Sequence, residues 1–135
     1  MSLREEDRQV IVTLELEKVD KTLSQIGTLV DNALWDLVAN RLYYALFHAV
    51  SAMLIHDHYE VGTHRGAVNK FSLFYVKAEL FTKEEGRLYS RLQRLREDGD
   101  YNCYIDVEKE EVAEFLQPTL QLIEKIKTYI ASVSK

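Results

Sequence analysis

The stretch that decides the fold is residues 33–56, "ALWDLVANRLYYALFHAVSAMLIH". Apolar side chains recur in it at helical spacing and fall on two opposite sides of the predicted helix. One side holds Leu34, Leu37, Val38, Ala45, Ala52 and Ile55, and the other holds Leu46, Val50, Met53 and Leu54. A helix that is apolar on so many sides is either central in its bundle or packed against another subunit. The stretch is therefore also a first indication of an oligomer.

The same stretch has the length of a membrane span, but its polar residues argue against insertion. Asp36, Asn40, Arg41 and His48 would each be costly in hydrocarbon, so we expect a buried helix of a soluble protein. The segment "MSLREEDRQ", residues 1–9, is charged and has no apolar run, so we expect no secretory signal. A single cysteine, Cys103, allows no intrachain disulfide, which favours a cytoplasmic location.

Four further helices are predicted around this stretch. Their approximate ranges are 3–28, 64–78, 82–98 and 106 to near the C-terminus. Candidate N-caps are Asp31 or Asn32 for the central helix, Thr63, Thr82 with Glu85 in a capping box, and Asp106. Pro118 lies inside the last helix and predicts a kink or a short break there.

The composition favours a few long helices over many short strands. The chain has 135 residues, of which 47% are hydrophobic, with only five Gly and one Pro. We therefore expect an all-α fold, an up-and-down bundle of about five helices that forms a single domain over residues 1–135. The net charge of −5 disfavours a purely electrostatic nucleic-acid binder but does not exclude a local basic patch.

Three arginines share one face of the fourth predicted helix. Arg87, Arg91 and Arg94 are spaced so that they could contact the phosphates of a nucleic acid. The alternative is a solvated face, because Glu84 and Asp98 lie within reach for ion pairs along the helix.

Two further polar residues of interest lie on the central helix. Arg41 and His48 are seven residues apart on one face, near the centre of the apolar stripe. A buried arginine needs a carboxylate partner from another helix, so we interpret the two as a buried polar pair rather than a catalytic one. His56, His58 and His64 surround one loop, but nothing in the sequence fixes a metal geometry, and we expect neither a metal ion nor another cofactor.

The end of the fourth helix, "RLREDGDYNC" at residues 94–103, concentrates the remaining candidates. Gly99 predicts the helix end, which puts Arg96 in the last turn, where a cation favours the helix dipole. Asp100, Tyr101 and Asn102 follow Arg96 closely, so a functional role for this helix end is the alternative to a structural one.

Three segments stand out by their order and spacing: "NRLYYALFHAVSAMLI", "GTHRGAVNKFSLFYV" and "RLYSRLQRLREDGDY". They resemble the HEPN domain family, in particular its small stand-alone members often encoded beside a minimal nucleotidyltransferase. The resemblance covers residues from about 5 to 132. It implies a helical bundle, a homodimer, a minimal nucleotidyltransferase partner, and toxin-antitoxin or defence biology.

The resemblance also implies a site, from which this chain departs. Many HEPN proteins are metal-independent RNases that use an Arg and a His with four to six residues between them. Arg96 matches the Arg, whereas Tyr101, Asn102 and Cys103 occupy the positions where the His is expected. The resemblance makes Tyr101 and Tyr104 candidates for nucleotide addition by the partner.

Three hypotheses follow from this altered motif. The first is an interaction module that dimerises, binds a nucleotidyltransferase and carries a degenerate RNase motif. The second is an active RNase toxin that uses Arg96 with Asp100, Tyr101, Asn102 or a histidine from elsewhere, which could be His48 or His64 only if the fold brings it near Arg96. The third is a purely structural helical bundle.

Overall fold

A computed structural model describes residues 3–101 and 107–132, and of residues 98–101 it describes the helical backbone alone. Its elements are α1 (Glu5–Leu23), α2 (Ile26–Asp31), α3 (Trp35–His56), α4 (His64–Phe71), a π-helical turn (Ser72–Val76), α5 (Lys83–Tyr101) and α6 (Lys109–Ser132). No strand occurs in these two ranges, and the predicted all-α bundle is confirmed. Five of the helices are the predicted ones, whereas the six-residue α2 was not expected.

Helix α3 is the central helix of the bundle. It packs most extensively against α1, α6 and α5, and it also contacts α2 and α4. Side chains from both of its apolar sides, including Val38, Leu46 and Met53, are fully buried. Burial within one chain thus explains the apolar character of α3, so this character alone is no indication of a second subunit. Leu34 and Leu37 are the exceptions, because they lie at the start of α3 and are exposed.

The length and composition of α3 would also suit a membrane span. It has 22 residues, and 67% of its most apolar 18-residue window is buried inside the bundle. A helix covered in this way by its own chain is typical of the core of a soluble domain.

Local capping signals set two of the helix starts as predicted. The Thr63 hydroxyl accepts a hydrogen bond from the Gly66 backbone N–H at 2.9 Å, which begins α4. Before α5, the Thr82 N–H donates to Glu85 Oε1 at 2.8 Å, and the Glu85 N–H donates to Thr82 Oγ1 at 3.1 Å. This is the predicted capping box.

Three other boundary predictions are wrong. Neither Asp31 nor Asn32 caps α3, because α2 extends through Asp31 and the Asn32 amide instead donates to the Thr28 carbonyl at 2.8 Å. The π-helical turn replaces α-helix before residue 78. Gly99 does not end α5, which continues to Tyr101, since a glycine inside a helix costs only about 1 kcal/mol relative to alanine. The predicted cap Asp106 lies outside the described residues.

Pro118 lies within α6, which the structure describes as one unbroken helix. The proline removes one backbone hydrogen bond, but buried side chains on both sides of it, such as Phe115 and Ile123, hold the two halves against the core. The predicted break is therefore absent.

Candidate functional site

Arg96 on α5 points into the bundle against two tyrosines of α3. Its side chain is only 5% exposed, and its guanidinium carbon lies 4.7 Å from the ring centre of Tyr43 and 5.5 Å from that of Tyr44. It also donates a hydrogen bond to the Tyr43 side chain. A guanidinium over an aromatic face is a favourable cation–π contact, especially when it is shielded from water. Arg96 lies more than one turn before Tyr101, so the predicted role as a cation of the last turn is wrong.

His64 contacts the same tyrosine through its hydroxyl. Its Nδ1 lies 2.8 Å from the Tyr43 hydroxyl, and its ring stacks on Phe47 with the centroids 4.2 Å apart and the planes 15° apart. His64 is the first residue of α4, and the Thr63 cap fixes the start of that helix. We call Arg96, Tyr43 and His64 the Arg–Tyr–His cluster, in which a single hydroxyl connects a guanidinium to an imidazole.

The surroundings of the cluster shift two pKa values. Burial lowers the pKa of His64, and the positive charges of Arg96 and His48 lower it further. Burial raises the pKa of Tyr43, although the hydrogen bond from Arg96 opposes that change. Near neutral pH the imidazole is therefore neutral and able to accept a proton, while the Tyr43 hydroxyl stays protonated.

Charged residues surround the cluster at the protein surface. Exposed Arg65, which follows His64, pairs with half-buried Glu97 of α5 at 3.3 Å. On α3, His48 Nδ1 lies 2.7 Å from Glu15 Oε1 of α1. The two pairs connect α4 with α5 and α3 with α1, so they help to hold the helices that carry the cluster.

A comparison with protein families identifies the chain. The model of the HEPN domain matches residues 14–129, which is most of the sequence. The chain belongs to the HEPN domain family. A relative in Thermotoga maritima, named "UPF0332 protein", is 26% identical over 96% of this chain and 98% of its own length.

Two further relatives of this HEPN protein come from Methanocaldococcus jannaschii, and both bear the name "Putative toxin". One is 26% identical over 87% of this chain and 80% of its own length. The other is 26% identical over 97% of this chain and 96% of its own length. Together with the family match, these relatives agree with the sequence resemblance to the HEPN family, which is confirmed.

The predicted pair of Arg41 and His48 is not a buried pair. Both side chains are only partly buried, and they form separate contacts on the outer face of α3. Arg41 hydrogen-bonds to Asn40 and to Gln25, and its guanidinium lies 5.5 Å from the Tyr44 ring centre. A carboxylate was expected beside Arg41. Instead, Glu15 of α1 lies beside the imidazole of His48.

The arginine stripe of α5 lies on the surface beside acidic residues. Arg87 pairs with Glu84 at 3.6 Å, and the Arg91 guanidinium lies 5.3 Å from the Phe115 ring centre. Arg91 and Arg94 line a groove that also contains Glu111 and Glu114 of α6. Neighbouring carboxylates favour the solvated-face interpretation, because they reduce the positive potential that a phosphate would meet.

The other predicted site residues follow Arg96 in the sequence. Asp100 and Tyr101 are in the last described turn of α5, where the structure describes the backbone alone. Asn102 and Tyr104 lie outside the described residues.

Tyr43 was absent from the predicted site, and His64 entered it only as a conditional source of imidazole. The sequence separates these residues from Arg96 by 53 and 32 positions, so no local spacing connects them. The one available signal was the combination of the "RLYYALF" and "GTHRG" segments in the family resemblance.

Proposed function

We propose that this chain is a HEPN-type toxin that cleaves RNA without a metal ion, through Arg96, Tyr43 and His64. The observation that carries the proposal is the 2.8 Å contact between the Tyr43 hydroxyl and His64 Nδ1. The ring of the same tyrosine lies under the Arg96 guanidinium. It supplies the imidazole that the altered "RLREDGDYNC" motif lacks. The names of the two archaeal relatives support the toxin part of the proposal.

The proposed reaction uses the chemistry of the RNA itself. His64 Nε2 accepts the proton of a ribose 2′-hydroxyl while that oxygen attacks the adjacent phosphorus. The bond from phosphorus to the 5′-oxygen breaks, and the leaving oxygen takes a proton from water. The hydroxide that remains removes the proton from His64, which restores the neutral imidazole. The products are a 2′,3′-cyclic phosphate and a 5′-hydroxyl end. In this step the His64 Nδ1–H donates to the Tyr43 oxygen, which fixes the ring orientation, and Arg96 stabilises the charge that develops on the phosphate.

We also infer a homodimer, with the groove between α2 and α3 at its interface. The groove has a volume of about 570 Å³ and contains Leu29, Leu37 and Arg41 among its lining residues. Leu37 is 45% exposed, although leucine is normally buried. Arg41 contacts the ring of Tyr44, and the Arg96 guanidinium lies against the same ring. A second copy at this groove would lie next to the Arg–Tyr–His cluster, as the family resemblance implies.

Light scattering of two charge variants tests the dimer. Leu37→Glu places a charge in the groove and is expected to give monomers at micromolar concentration, while the wild type is dimeric. Leu73→Glu is the matched control, because Leu73 is 55% exposed on the π-helical turn away from the groove. A monomeric wild type, or equal dissociation by both variants, contradicts the inference.

A second candidate function is a catalytically silent partner of a minimal nucleotidyltransferase. The 5% exposure of Arg96 favours it, because little guanidinium surface is left for a phosphate. In this case Arg96 would stabilise the bundle, and the exposed surface around Arg41 and Tyr44 would bind the partner.

A cleavage assay with two buried-arginine variants separates the candidates. Purified protein is incubated with tRNA and mRNA in the presence of a chelator. The wild type and Arg8→Ala are expected to cleave, whereas Arg96→Ala is expected to lose activity. Arg8 is a matched control, since it is 7% exposed and donates to the Ile55 carbonyl at 3.0 Å, far along α3 from Tyr43.

Each outcome of the assay has a defined meaning. Cleavage that survives Arg96→Ala points to a contaminating nuclease and contradicts the proposal. Absence of cleavage by the wild type also contradicts it, and the partner candidate then predicts that the chain co-purifies with a co-expressed minimal nucleotidyltransferase.

A further inference from the structure

A second cluster of aromatic and ionisable side chains lies where α3 ends. It is roughly 20 Å further along α3 than Tyr43, given the rise of 1.5 Å per residue. The cluster lines a pocket of about 640 Å³, a volume in the range of small-molecule sites. Asp57 is one of its lining residues, and residues from the start of α1, the π-helical turn and α6 complete its wall. The proposed RNA cleavage does not use this pocket.

Asp57 is held in place by three hydrogen bonds. The hydroxyls of Tyr75 and Tyr129 both donate to Asp57 Oδ2, at 2.7 and 2.8 Å. His56 Nδ1 lies 2.9 Å from Asp57 Oδ1. A carboxylate offers about four acceptor positions, so the contacts of the described residues leave one acceptor position on Oδ1 for a further donor.

Aromatic faces form the other walls of the pocket. Tyr59 and Phe74 are stacked with centroids 4.1 Å apart and planes 11° apart, and Tyr75 and Tyr129 meet edge to face at 5.9 Å. The backbone is specialised here, since His58 has a φ of 72° and Tyr75 lies in the π-helical turn. Left-handed residues and π-helical turns are both enriched at functional sites.

The chemistry of the walls selects the charge of a ligand. Glu5 adds a second carboxylate, whose Oε1 lies 3.5 Å from Arg8 Nε and 3.7 Å from His58 Nε2. Neither Lys nor Arg is among the described residues that line the pocket itself. Two carboxylates beside aromatic faces repel phosphate and other anions and attract an organic cation. The described residues also hold no group of three or more His, Cys, Asp or Glu that suits a metal ion.

We propose that this pocket binds a primary alkylammonium group. The ammonium donates to Asp57 Oδ1, and the aliphatic chain lies along the Tyr59 and Phe74 rings. Such a group comes either from a free polyamine or from a lysine side chain of another protein, and two probes distinguish these sources. Putrescine represents the free amine, and N-acetyl-lysine methylamide represents the lysine side chain.

Calorimetric titration of the full chain tests the proposal. The wild type is expected to bind at least one of the two amines, and glutarate, an anion of similar length, is expected not to bind. Tyr59→Leu keeps an apolar side chain but removes the ring, and it should weaken binding by roughly threefold to thirtyfold. Glu60→Gln is the matched control for lost negative charge, because the exposed Glu60 does not line this pocket, and it should leave binding unchanged.

Asp57→Asn is expected to abolish binding, but it also removes a structural contact. Tyr59 is 39% exposed at the pocket, so Tyr59→Leu provides a test that does not depend on that contact. Binding of putrescine assigns the pocket to free amines, and binding of the lysine analogue alone assigns it to a protein side chain. The proposal is overturned if neither amine binds at millimolar concentration, if glutarate binds equally well, or if Tyr59→Leu binds like the wild type.

Discussion

The Arg–Tyr–His cluster and the Asp57 pocket both connect helices through tyrosine hydroxyls, but their charges are opposite. At Tyr43 the neighbour is a cation, whose hydrogen bond opposes the effect of burial on the tyrosine pKa. At Tyr75 and Tyr129 the neighbour is a carboxylate. Burial, the hydrogen bond to Asp57 and its charge together raise the pKa of Tyr129 to about 12, and that of Tyr75 still further.

This difference separates a site suited to proton transfer from a site suited to holding structure. The tyrosines around Asp57 remain permanent donors at any physiological pH, which makes them a stable clamp and a fixed pocket wall. Tyr43 instead connects a fixed cation to His64, whose pKa is lowered from an ordinary value close to neutrality. The proton that can move is therefore on His64.

The largest effect is expected for His64→Asn. If His64 is the proton acceptor, RNA cleavage should fall by roughly 10²- to 10⁴-fold, because that is the usual contribution of a positioned acid or base. Cleavage rates under chelator measure the loss, and circular dichroism checks that the helices are retained. A variant that cleaves within a few fold of the wild type contradicts the assigned role.

Asp57→Asn should affect stability rather than cleavage. The amide cannot accept from all three donors, so we expect the free energy of unfolding to fall by about 2 kcal/mol. Urea denaturation measures this loss, with Asp36→Asn on the exposed side of α3 as the matched control. An Asp57→Asn protein that is as stable as the control would show that the clamp contributes little.

The two threonine caps offer a smaller and more selective comparison. Thr63→Ala and Thr82→Ala should each cost about 1 kcal/mol of stability, because each removes one capping hydrogen bond. Only Thr63 precedes His64, so only Thr63→Ala should also slow cleavage at a temperature where both variants are folded. Equal cleavage rates in Thr63→Ala and Thr82→Ala would show that the start of α4 does not affect the site.

The smallest expected change is in the pKa of His64. An NMR titration should give a value below 6.5, and Arg96→Met should raise it, since one of the nearby positive charges is removed. Arg87→Met on the exposed face is the control. A lowered pKa means that the unfolded chain binds this proton more readily, so the contribution of His64 to stability should be lost as the pH falls below about 6.5. An unshifted titration in wild type and Arg96→Met contradicts the described environment.

Much of the fold was predictable because its signals are local. The apolar spacing of residues 33–56 and the caps at Thr63 and Thr82 depend on residues within one or two helical turns. The start of α3 was not predictable in this way, because its N-cap residue, Leu34, makes no side-chain capping hydrogen bond. Where local signals are absent, packing between helices sets the boundary.

The site was only half predictable for a related reason. The motif placed Arg96, but its contacts with Tyr43 and His64 depend on how α3, α4 and α5 pack. The prediction that Arg41 is buried was wrong, because a helix that is apolar nearly all round gives no clear outer face. Pairing of ionisable groups across helices is a tertiary property, which one sequence without a fold does not determine.

Chemical rescue tests the central claim most directly. His64→Ala leaves a space beside Tyr43 and Phe47 where free imidazole can bind in place of the lost ring. If His64 moves the proton, His64→Ala should be inactive on RNA under chelator, and added imidazole should restore cleavage in a dose-dependent manner, whereas Arg96→Ala should not respond. A His64→Ala protein that cleaves as fast as the wild type without imidazole would contradict the account.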